Sequence, residues 1–176
     1  QPILYDDFGR ESVRTLPYAG TRSGEFRSDA GPATVNDFYS SQTPEGIEPD
    51  SRAFTSVVFD GSPLNRVLSQ TGPGSDWEEK NKSVIFNHLT NTVPVTGWRV
   101  SGNYSFSSFS YEAGTLYITE TIDEAGSSTR EYRDITGHVI MNESKLGSDW
   151  LQTAYIYDDL GLLRCVMPPA ASDPNT

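Results

Sequence analysis

The stretch Tyr155-Ile156-Tyr157-Asp158-Asp159-Leu160-Gly161 decides the fold of this chain. Aromatic and apolar residues in alternation are typical of a strand, and the Asp-x-x-Gly that follows is typical of a tight turn. The carboxylate of Asp158 can accept the backbone N–H two residues on, and Gly161 can adopt a positive φ without steric cost. The spacing therefore predicts an antiparallel hairpin closed by a type I turn and a bulge.

The same spacing occurs twice more, as Asp6-x-x-Gly9 and Asp134-x-x-Gly137. One copy would be a weak signal, because many hairpins contain it, but three copies before apolar return strands indicate a repeated unit. We predict that the Asp and Gly residues shape the turns and that the preceding tyrosines pack the sheet. The turn residues are Asp6, Gly9, Asp134, Gly137, Asp158 and Gly161, and the tyrosines are Tyr5, Tyr155 and Tyr157.

The composition favours β-structure with many turns. The chain has 176 residues, with 15 Gly, 11 Pro, nine Tyr, eight Phe and three Trp. We predict one domain over residues 1–176, all-β or mainly β, in which antiparallel hairpins form a curved sheet. Within this domain we predict that residues 19–52 form a long irregular insertion, with a short helix at 29–39 capped by Asp29. We predict a frayed tail at residues 168–176. Strands are predicted at residues 3–5, 10–16, 54–59, 66–68, 83–89, 97–100, 115–122, 129–132, 139–143, 151–157 and 162–167.

The net charge of −11 argues against a nucleic-acid partner, because 13 basic residues are scattered among 24 acidic ones. An acidic membrane surface would repel the chain, and nothing approaches the ~20 consecutive apolar residues of a membrane span. No signal peptide is recognisable. Because Gln1 to Tyr5 reads like the middle of a strand, we interpret the chain as an excised fragment of a longer parent.

The motif Tyr-x-Tyr-Asp-x-x-Gly is the signature of YD repeats, and residues 155–161 match it residue for residue. The chain resembles the upstream repeat region of a large bacterial RHS/YD-repeat protein over nearly its whole length. Further similar phrases lie at residues 5–12, 16–18, 62–67, 97–100 and 167–170. Two features depart from the family pattern. His138 replaces the Arg that usually follows the Gly in the second copy, and Leu162 replaces it in the third. The repeat around Asn65-Arg66-Val67 is diverged.

The resemblance implies a function as well as a fold. RHS proteins are spirals of β-hairpins that wind into a hollow shell around a variable C-terminal toxin or effector. We therefore expect a structural, non-catalytic section of such a shell, in a secreted or cell-surface bacterial protein. Its expected partners are neighbouring repeats and the C-terminal effector, with self-association through exposed strand edges. The autoprotease and the toxin of the family belong to its C-terminal end and match no residue here.

No catalytic, cofactor or metal site is predicted. The paired carboxylates Asp6/Asp7, Asp123/Glu124 and Asp158/Asp159 lie in predicted turns, where capping explains them. Neither histidine, His88 or His138, has a partner at zinc-ligand spacing. The lone Cys165 lies on a short apolar strand, which is typical of an unreactive thiol. A Ca²⁺ site on the acidic turns stays open as an alternative.

The second functional hypothesis is a carbohydrate- or peptide-binding or adhesion module on the cell surface. Trp77 and Trp150 each follow an acidic residue near a turn, and they are the candidates for an exposed stacking pair. We favour burial for most aromatic side chains, because a sheet with few Leu and Ile needs aromatic residues to fill its faces.

Overall fold

The computed structural model describes residues 1–19, 28–41, 45–101 and 105–169, and within them the chain forms twelve strands and two helices. The mainly β class with antiparallel hairpins is therefore confirmed. The chain divides into two compact units, where the sequence predicts one domain. Unit 1 consists of residues 1–85 and 123–125, and unit 2 of residues 86–122 and 126–176.

Unit 1 is a series of strands in which each pairs antiparallel with the next. Two helices interrupt the series. The elements are β1 (Ile3–Tyr5), β2 (Glu11–Thr15), α1 (Pro32–Ser41), β3 (Phe54–Phe59), β4 (Val67–Thr71), α2 (Ser75–Glu79) and the beginning of β5 (Ser83–Thr90).

Helix α1 begins three residues later than predicted, so the predicted helix start and cap at Asp29 are wrong. The carbonyl of Gly31 accepts the N–H of Val35 at 3.1 Å, and Pro32 occupies the first helical position. Proline favours that position because its fixed φ suits the first turn and its missing N–H would have no partner there. The Asp29 carbonyl instead accepts the Thr34 hydroxyl at 2.6 Å. Val35 is fully buried, so this side chain holds the helix to unit 1.

Arg52 is a buried cation that ties together the loops of unit 1. Its guanidinium donates to the carbonyls of Phe54 and Gly72 and to the hydroxyl of Ser56, and it lies 4.5 Å from the centre of the Phe54 ring. An ion pair of 3.2 Å joins its Nε to Oε2 of Glu78 in α2. These partners offset the cost of removing a charge from water.

Unit 2 contains the later half of β5 and seven further strands. These are β6 (Val95–Ser101), β7 (Ser105–Tyr111), β8 (Tyr117–Ile122), β9 (Ser128–Arg133), β10 (Val139–Leu146), β11 (Asp149–Tyr157) and β12 (Leu163–Met167). Strands β8 to β12 follow one another antiparallel, and β5 lies next to β8. The hairpin β6–β7 joins β11 through a parallel bridge between Arg99 and Tyr157.

The core of unit 2 lies on one face of this sheet. Ile118, Tyr132 and Met141 are direct cross-strand neighbours, and Leu116 and Ile140 complete the buried cluster. Strand side chains alternate between the two faces, so the period-two pattern of β8 predicts this row.

Two elements escape the sequence prediction. The serine-rich strand β7 lacks a clear alternation, and α2 has only five residues, too few for a helical period to show. Part of the predicted insertion, residues 20–27 and 42–44, lies outside the described residues, as do residues 170–176 of the predicted tail.

Candidate functional site

The three Asp-x-x-Gly segments share one turn geometry. In the first, the N–H of Gly9 donates to the Asp6 carbonyl and the N–H of Asp6 donates to the Arg10 carbonyl, both at 2.9 Å. The second and third copies repeat both bonds at 2.9 to 3.0 Å, around Asp134 and Asp158. The φ of Gly9, Gly137 and Gly161 is +74°, +88° and +74°, the left-handed region that the spacing predicts.

In each turn, one carboxylate oxygen of the aspartate collects two backbone donors. Oδ1 of Asp158 accepts the N–H groups of Leu160 and Leu162 at 3.0 and 2.9 Å. Oδ1 of Asp6 accepts those of Phe8 and Arg10, both at 2.9 Å, in the same way. In the second copy Oδ1 of Asp134 also accepts the hydroxyl of Thr136, at 2.6 Å. The carboxylate thus closes the turn by satisfying N–H groups that the ladder leaves free.

The second carboxylate oxygen faces a basic side chain that follows the turn glycine in the sequence. Oδ2 of Asp6 accepts Nε of Arg10 at 2.7 Å, and Oδ2 of Asp158 accepts Nε of Arg164 at 2.6 Å. In the second copy the Nδ1 atom of His138 lies 3.7 Å from Oδ2 of Asp134. In the third turn Leu162 occupies the position that Arg10 has in the first turn, and Arg164 supplies the cation instead.

A fourth turn, between β3 and β4, is a longer version of the same design. The N–H of Asp60 donates to the Arg66 carbonyl at 2.9 Å, and Oδ2 of Asp60 accepts Nε of Arg66 at 2.7 Å. Asn65 takes the place of the glycine, with a φ of +55°. Asparagine is among the few other residues that tolerate this region, so residues 60–66 form a turn of the same type.

These contacts lower the pKa of the turn aspartates. For Asp158 the main cause is the hydrogen bond from the Leu162 backbone, with Arg164 adding to it. For Asp6, burial raises the pKa, but the hydrogen bonds from the backbone and side chain of Arg10 outweigh it, so the net pKa is lowered. These carboxylates are therefore ionised at neutral pH, and they cannot serve as general acids there.

The three predicted sheet tyrosines have different environments. Tyr5 is 62% exposed, so the prediction that it packs the sheet is wrong. The reason is that β1 is a three-residue strand with β2 as its neighbour. Tyr155 and Tyr157 are partly buried. The Tyr157 hydroxyl donates to the Val139 carbonyl at 3.0 Å, and its ring stacks on His138 with centroids 4.5 Å apart.

The predicted tryptophan pair is divided between the two units. Trp77 lies on α2 of unit 1 and is 47% exposed. Trp150 lies on β11 of unit 2 and is partly buried, because the guanidinium of Arg130 covers its ring at 4.1 Å. Neither residue lines the cavity described below.

A polar row crosses β8 to β11 on the face that also carries the core of unit 2. Glu120, Arg130, Glu143 and Gln152 are direct neighbours in register. Arg130 donates to Glu120 at 3.0 Å, and buried Glu143 accepts the Tyr132 hydroxyl at 2.7 Å and the Gln152 amide at 2.9 Å. The sequence analysis missed this row, because its members are brought together only by the strand register.

An aromatic cavity of about 390 Å³ lies between the hairpin β6–β7 and the turns at Asp134 and Asp158. The aromatic residues that line it are Trp98, Phe109, Tyr111, Tyr155 and Tyr157, and the polar residues are Arg99, Asp134, Thr136, His138, Asp158 and Asp159. The sequence analysis left open a Ca²⁺ site on the acidic turns, Asp158 and Asp159 included, but it proposed no ligand cavity here. The one signal available was the repeated aromatic content of β6 and β7.

Gly97 makes room for the aromatic wall of this cavity. A Cβ atom at this position would lie 2.5 Å from the Tyr111 ring and 2.7 Å from the Phe109 ring. The two rings pack at 4.8 Å between centroids, and the Arg99 guanidinium lies 4.6 Å from the Phe109 centroid. The rings can therefore lie across the backbone of β6 because it has no side chain there.

Metal ligands, the cysteine thiol and the helices are the remaining candidate features. Among the described residues, no group of three or more His, Cys, Asp or Glu side chains is placed to hold a metal ion. Cys165 is a partly buried free thiol. No helix in the described ranges has the length and apolar character needed to cross a membrane.

The fold and the turns together define a class of protein, a mainly β chain whose successive hairpins close on repeated aspartate turns. The chain belongs to the family described as Domain of unknown function (DUF6443), whose model matches residues 1–90 of the 176. The match includes the hairpins β1–β2 and β3–β4, whereas the aromatic cavity lies beyond it. No curated protein and no solved structure matches the chain.

Proposed function

We propose that the chain is a structural, non-catalytic section of the hairpin shell of an RHS/YD-repeat protein. In this role it helps to enclose or present a downstream effector of a secreted or cell-surface bacterial protein. The observation that carries the proposal is the same carboxylate-clamped turn at three hairpins, with a longer version at a fourth.

The chemistry of the turns supports a scaffold over an enzyme. In the turns at Asp6 and Asp158, both carboxylate oxygens are occupied, one by backbone N–H groups and the other by an arginine. A catalytic carboxylate needs a free oxygen directed toward a substrate, and it needs a pKa near the working pH. Asp6 and Asp158 have no free carboxylate oxygen, and their pKa values are lowered.

The arrangement of the hairpins supports the same role. Within unit 1 and within unit 2, most strands pair with the strand that follows in the chain. Units built from such local hairpins can be repeated along a chain, because each repeat needs contacts with its neighbours only. Repetition of this kind suits a shell built from many copies of one motif.

The test is limited proteolysis of the natural polypeptide that carries this chain, read by mass spectrometry. If the hairpins enclose a downstream segment, that segment resists protease in the intact protein and becomes cleavable when Gly9 and Gly161 are both changed to Val. Asp7→Asn, at an exposed turn position, is the matched control and leaves the protection unchanged. Equal cleavage of the downstream segment in all three proteins would overturn the proposal.

A further inference from the structure

Strand β7 is an edge of the sheet, and its outer side is open. Within the described ranges the strand order ends at β7, and β6 is the strand that pairs with it. The rings of Phe109 and Tyr111 lie over β6, where a Cβ atom at Gly97 would be 2.7 and 2.5 Å from them. Phe106 and the serines of β7 are exposed. The outer edge of β7 is therefore accessible to the backbone of another strand.

β7 lacks the features that usually protect an edge strand. Its sequence, Ser-Phe-Ser-Ser-Phe-Ser-Tyr, contains no charged residue and no proline, and it pairs with β6 without a bulge. The strands β1 and β12 are better protected. β1 has only three residues, and β12 carries Arg164, has a register shift in its pairing and is followed by Pro168. Short length, charge, proline and bulges all oppose edge pairing, so β7 is the edge best suited to accept a strand.

The absence of charge on β7 points to a second copy of the same chain as the partner. Each chain has a net charge of −11, so two copies repel one another over most of their surfaces. A contact between copies is favoured where neither copy contributes a charge, and β7 provides such a strip. A basic partner would find no carboxylate on this strand to pair with.

The sequence of β7 is also complementary to itself. We consider two β7 strands that pair antiparallel about a two-fold axis at Ser108. Each aromatic side chain then lies opposite a serine of the second copy: Phe106 opposite Ser110, Phe109 opposite Ser107 and Tyr111 opposite Ser105. Large side chains thus meet small ones on both faces of the pair. Because a two-fold contact is closed, the association stops at a dimer.

We propose that the chain forms a two-fold dimer in which β7 pairs antiparallel with β7 of a second copy, with Ser108 opposite Ser108. The dimer extends the sheet of unit 2 across the axis. One strand pair is small beside the ~1,200–2,000 Å² of stable interfaces, so the dimer is weak, with a Kd of about 10 µM to about 1 mM. The dimer does not rest on the shell function, since a monomeric chain would leave the result of the protease test unchanged.

Sedimentation equilibrium over a range of concentrations tests the dimer. We expect a reversible monomer–dimer equilibrium for the unmodified chain. Ser108→Lys and Ser108→Asp should each weaken association about tenfold or more, because two like charges then face each other at the axis. An equimolar mixture of the two variants should associate again, since the new ammonium and carboxylate groups face each other. This rescue separates a lost contact from lost folding.

Lysine substitutions on the other two edges are the matched controls. Leu4→Lys on β1 and Val166→Lys on β12 place the same charge at side chains that are 39% and 46% exposed. Both variants should associate as the unmodified chain does.

A disulfide between copies tests the register. In a Cys165→Ser background, Ser108→Cys should cross-link two copies under mild oxidation, because opposite residues of antiparallel strands have Cα atoms about 4.5–5.5 Å apart. Ser110→Cys should not cross-link, since the two introduced thiols would be separated by about 13 Å along the strands.

The proposal is overturned if the unmodified chain stays monomeric up to about 1 mM. It is also overturned if Ser108→Lys associates normally or if Ser110→Cys cross-links in place of Ser108→Cys. Association lost in Leu4→Lys or Val166→Lys but kept in Ser108→Lys would place the contact on another edge and would overturn it as well.

Discussion

A single aspartate in each turn satisfies donors from both the backbone and a side chain. Hydrogen bonds to a charged group contribute more than neutral ones, typically about 1.5–3 kcal/mol when shielded and less at an exposed turn. The arginine can come from more than one position. Arg10 follows its turn glycine directly, whereas Arg164 lies three residues after Gly161, beside the bulge in the β11–β12 pairing.

The glycine of each turn is required by backbone geometry, and we predict a graded cost for replacing it. Gly161→Val should lower the free energy of unfolding by about 1–3 kcal/mol, because its φ is +74° and the new Cβ would lie 3.0 Å from His138. Gly9→Val has the same φ but open space around the Cβ, so its cost should be smaller. Urea denaturation measures both.

Gly61→Val is the matched control for this series. Gly61 lies outside the left-handed region, and a Cβ there meets nothing within 4 Å. We expect little change in its unfolding free energy. Equal values for the Gly61, Gly9 and Gly161 variants would contradict the role of backbone conformation in these turns.

At the scale of elements, one face of the sheet in unit 2 contains both an apolar row and a polar row. Ile118, Tyr132 and Met141 form the first, and Glu120, Arg130 and Glu143 lie two residues away along the same strands. The two rows meet where the Tyr132 hydroxyl donates to Glu143. A buried carboxylate is tolerated only with such partners, so the polar row depends on the packing of the apolar row.

We predict that this contact makes unit 2 sensitive to alkali. Burial, and then the hydrogen bond to Glu143, raises the pKa of Tyr132 to about 12 from its ordinary value of about 10. Because the pKa is raised in the folded state, the stabilisation is complete below about pH 10 and is lost as the pH rises toward about 12. Urea midpoints measured across that range should therefore fall.

Tyr132→Phe isolates the contribution of this hydroxyl. The variant should be less stable at neutral pH, and its urea midpoint should fall less steeply above about pH 10 than that of the unmodified chain. Tyr5→Phe, at an exposed tyrosine, should keep the slope of the unmodified chain. If both variants retained that slope, the Tyr132–Glu143 contact would not be the source of the alkaline sensitivity.

At the scale of the whole molecule, aspartates with lowered pKa values occur at hairpin turns of both units. The net pKa is lowered at Asp6 and Asp60 in unit 1 and at Asp134 and Asp158 in unit 2. The stabilisation from such groups is present above the unfolded-state pKa of about 3.9 and is lost as the pH falls through the folded-state values. Acid should therefore weaken hairpins throughout the chain.

Asp158→Asn tests this acid sensitivity. The amide cannot form the ion pair with Arg164, so the variant should be less stable at pH 7 and should lose less stability between about pH 5 and about pH 2.5. Asp159→Asn is the neighbouring control, since Asp159 makes none of these contacts, and its urea midpoint should follow that of the unmodified chain. Identical pH dependence in the two variants would show that the turn carboxylate does not contribute.

The accuracy of the sequence analysis followed the range of the interactions involved. The turns at Asp6, Asp134 and Asp158 and the adjoining strands depend on neighbours within a few residues, and the pattern indicated them. The helix start was wrong because Pro32 outweighed Asp29 as a start signal. Tyr5 was misplaced because exposure depends on which strands lie beside β1, and a local motif does not contain that information.

By itself, the sequence determined the mainly β class and the repeated hairpin turns, because Asp-x-x-Gly acts through local hydrogen bonds and one positive φ. Only the tertiary structure decided the polar row and the aromatic cavity. Arg99 and Tyr157 are 58 positions apart and become neighbours through one parallel bridge between β6 and β11. Contacts between residues so far apart in the sequence depend on the order and register of the strands. Local patterns do not specify either of these, because many strand pairings satisfy the same alternation.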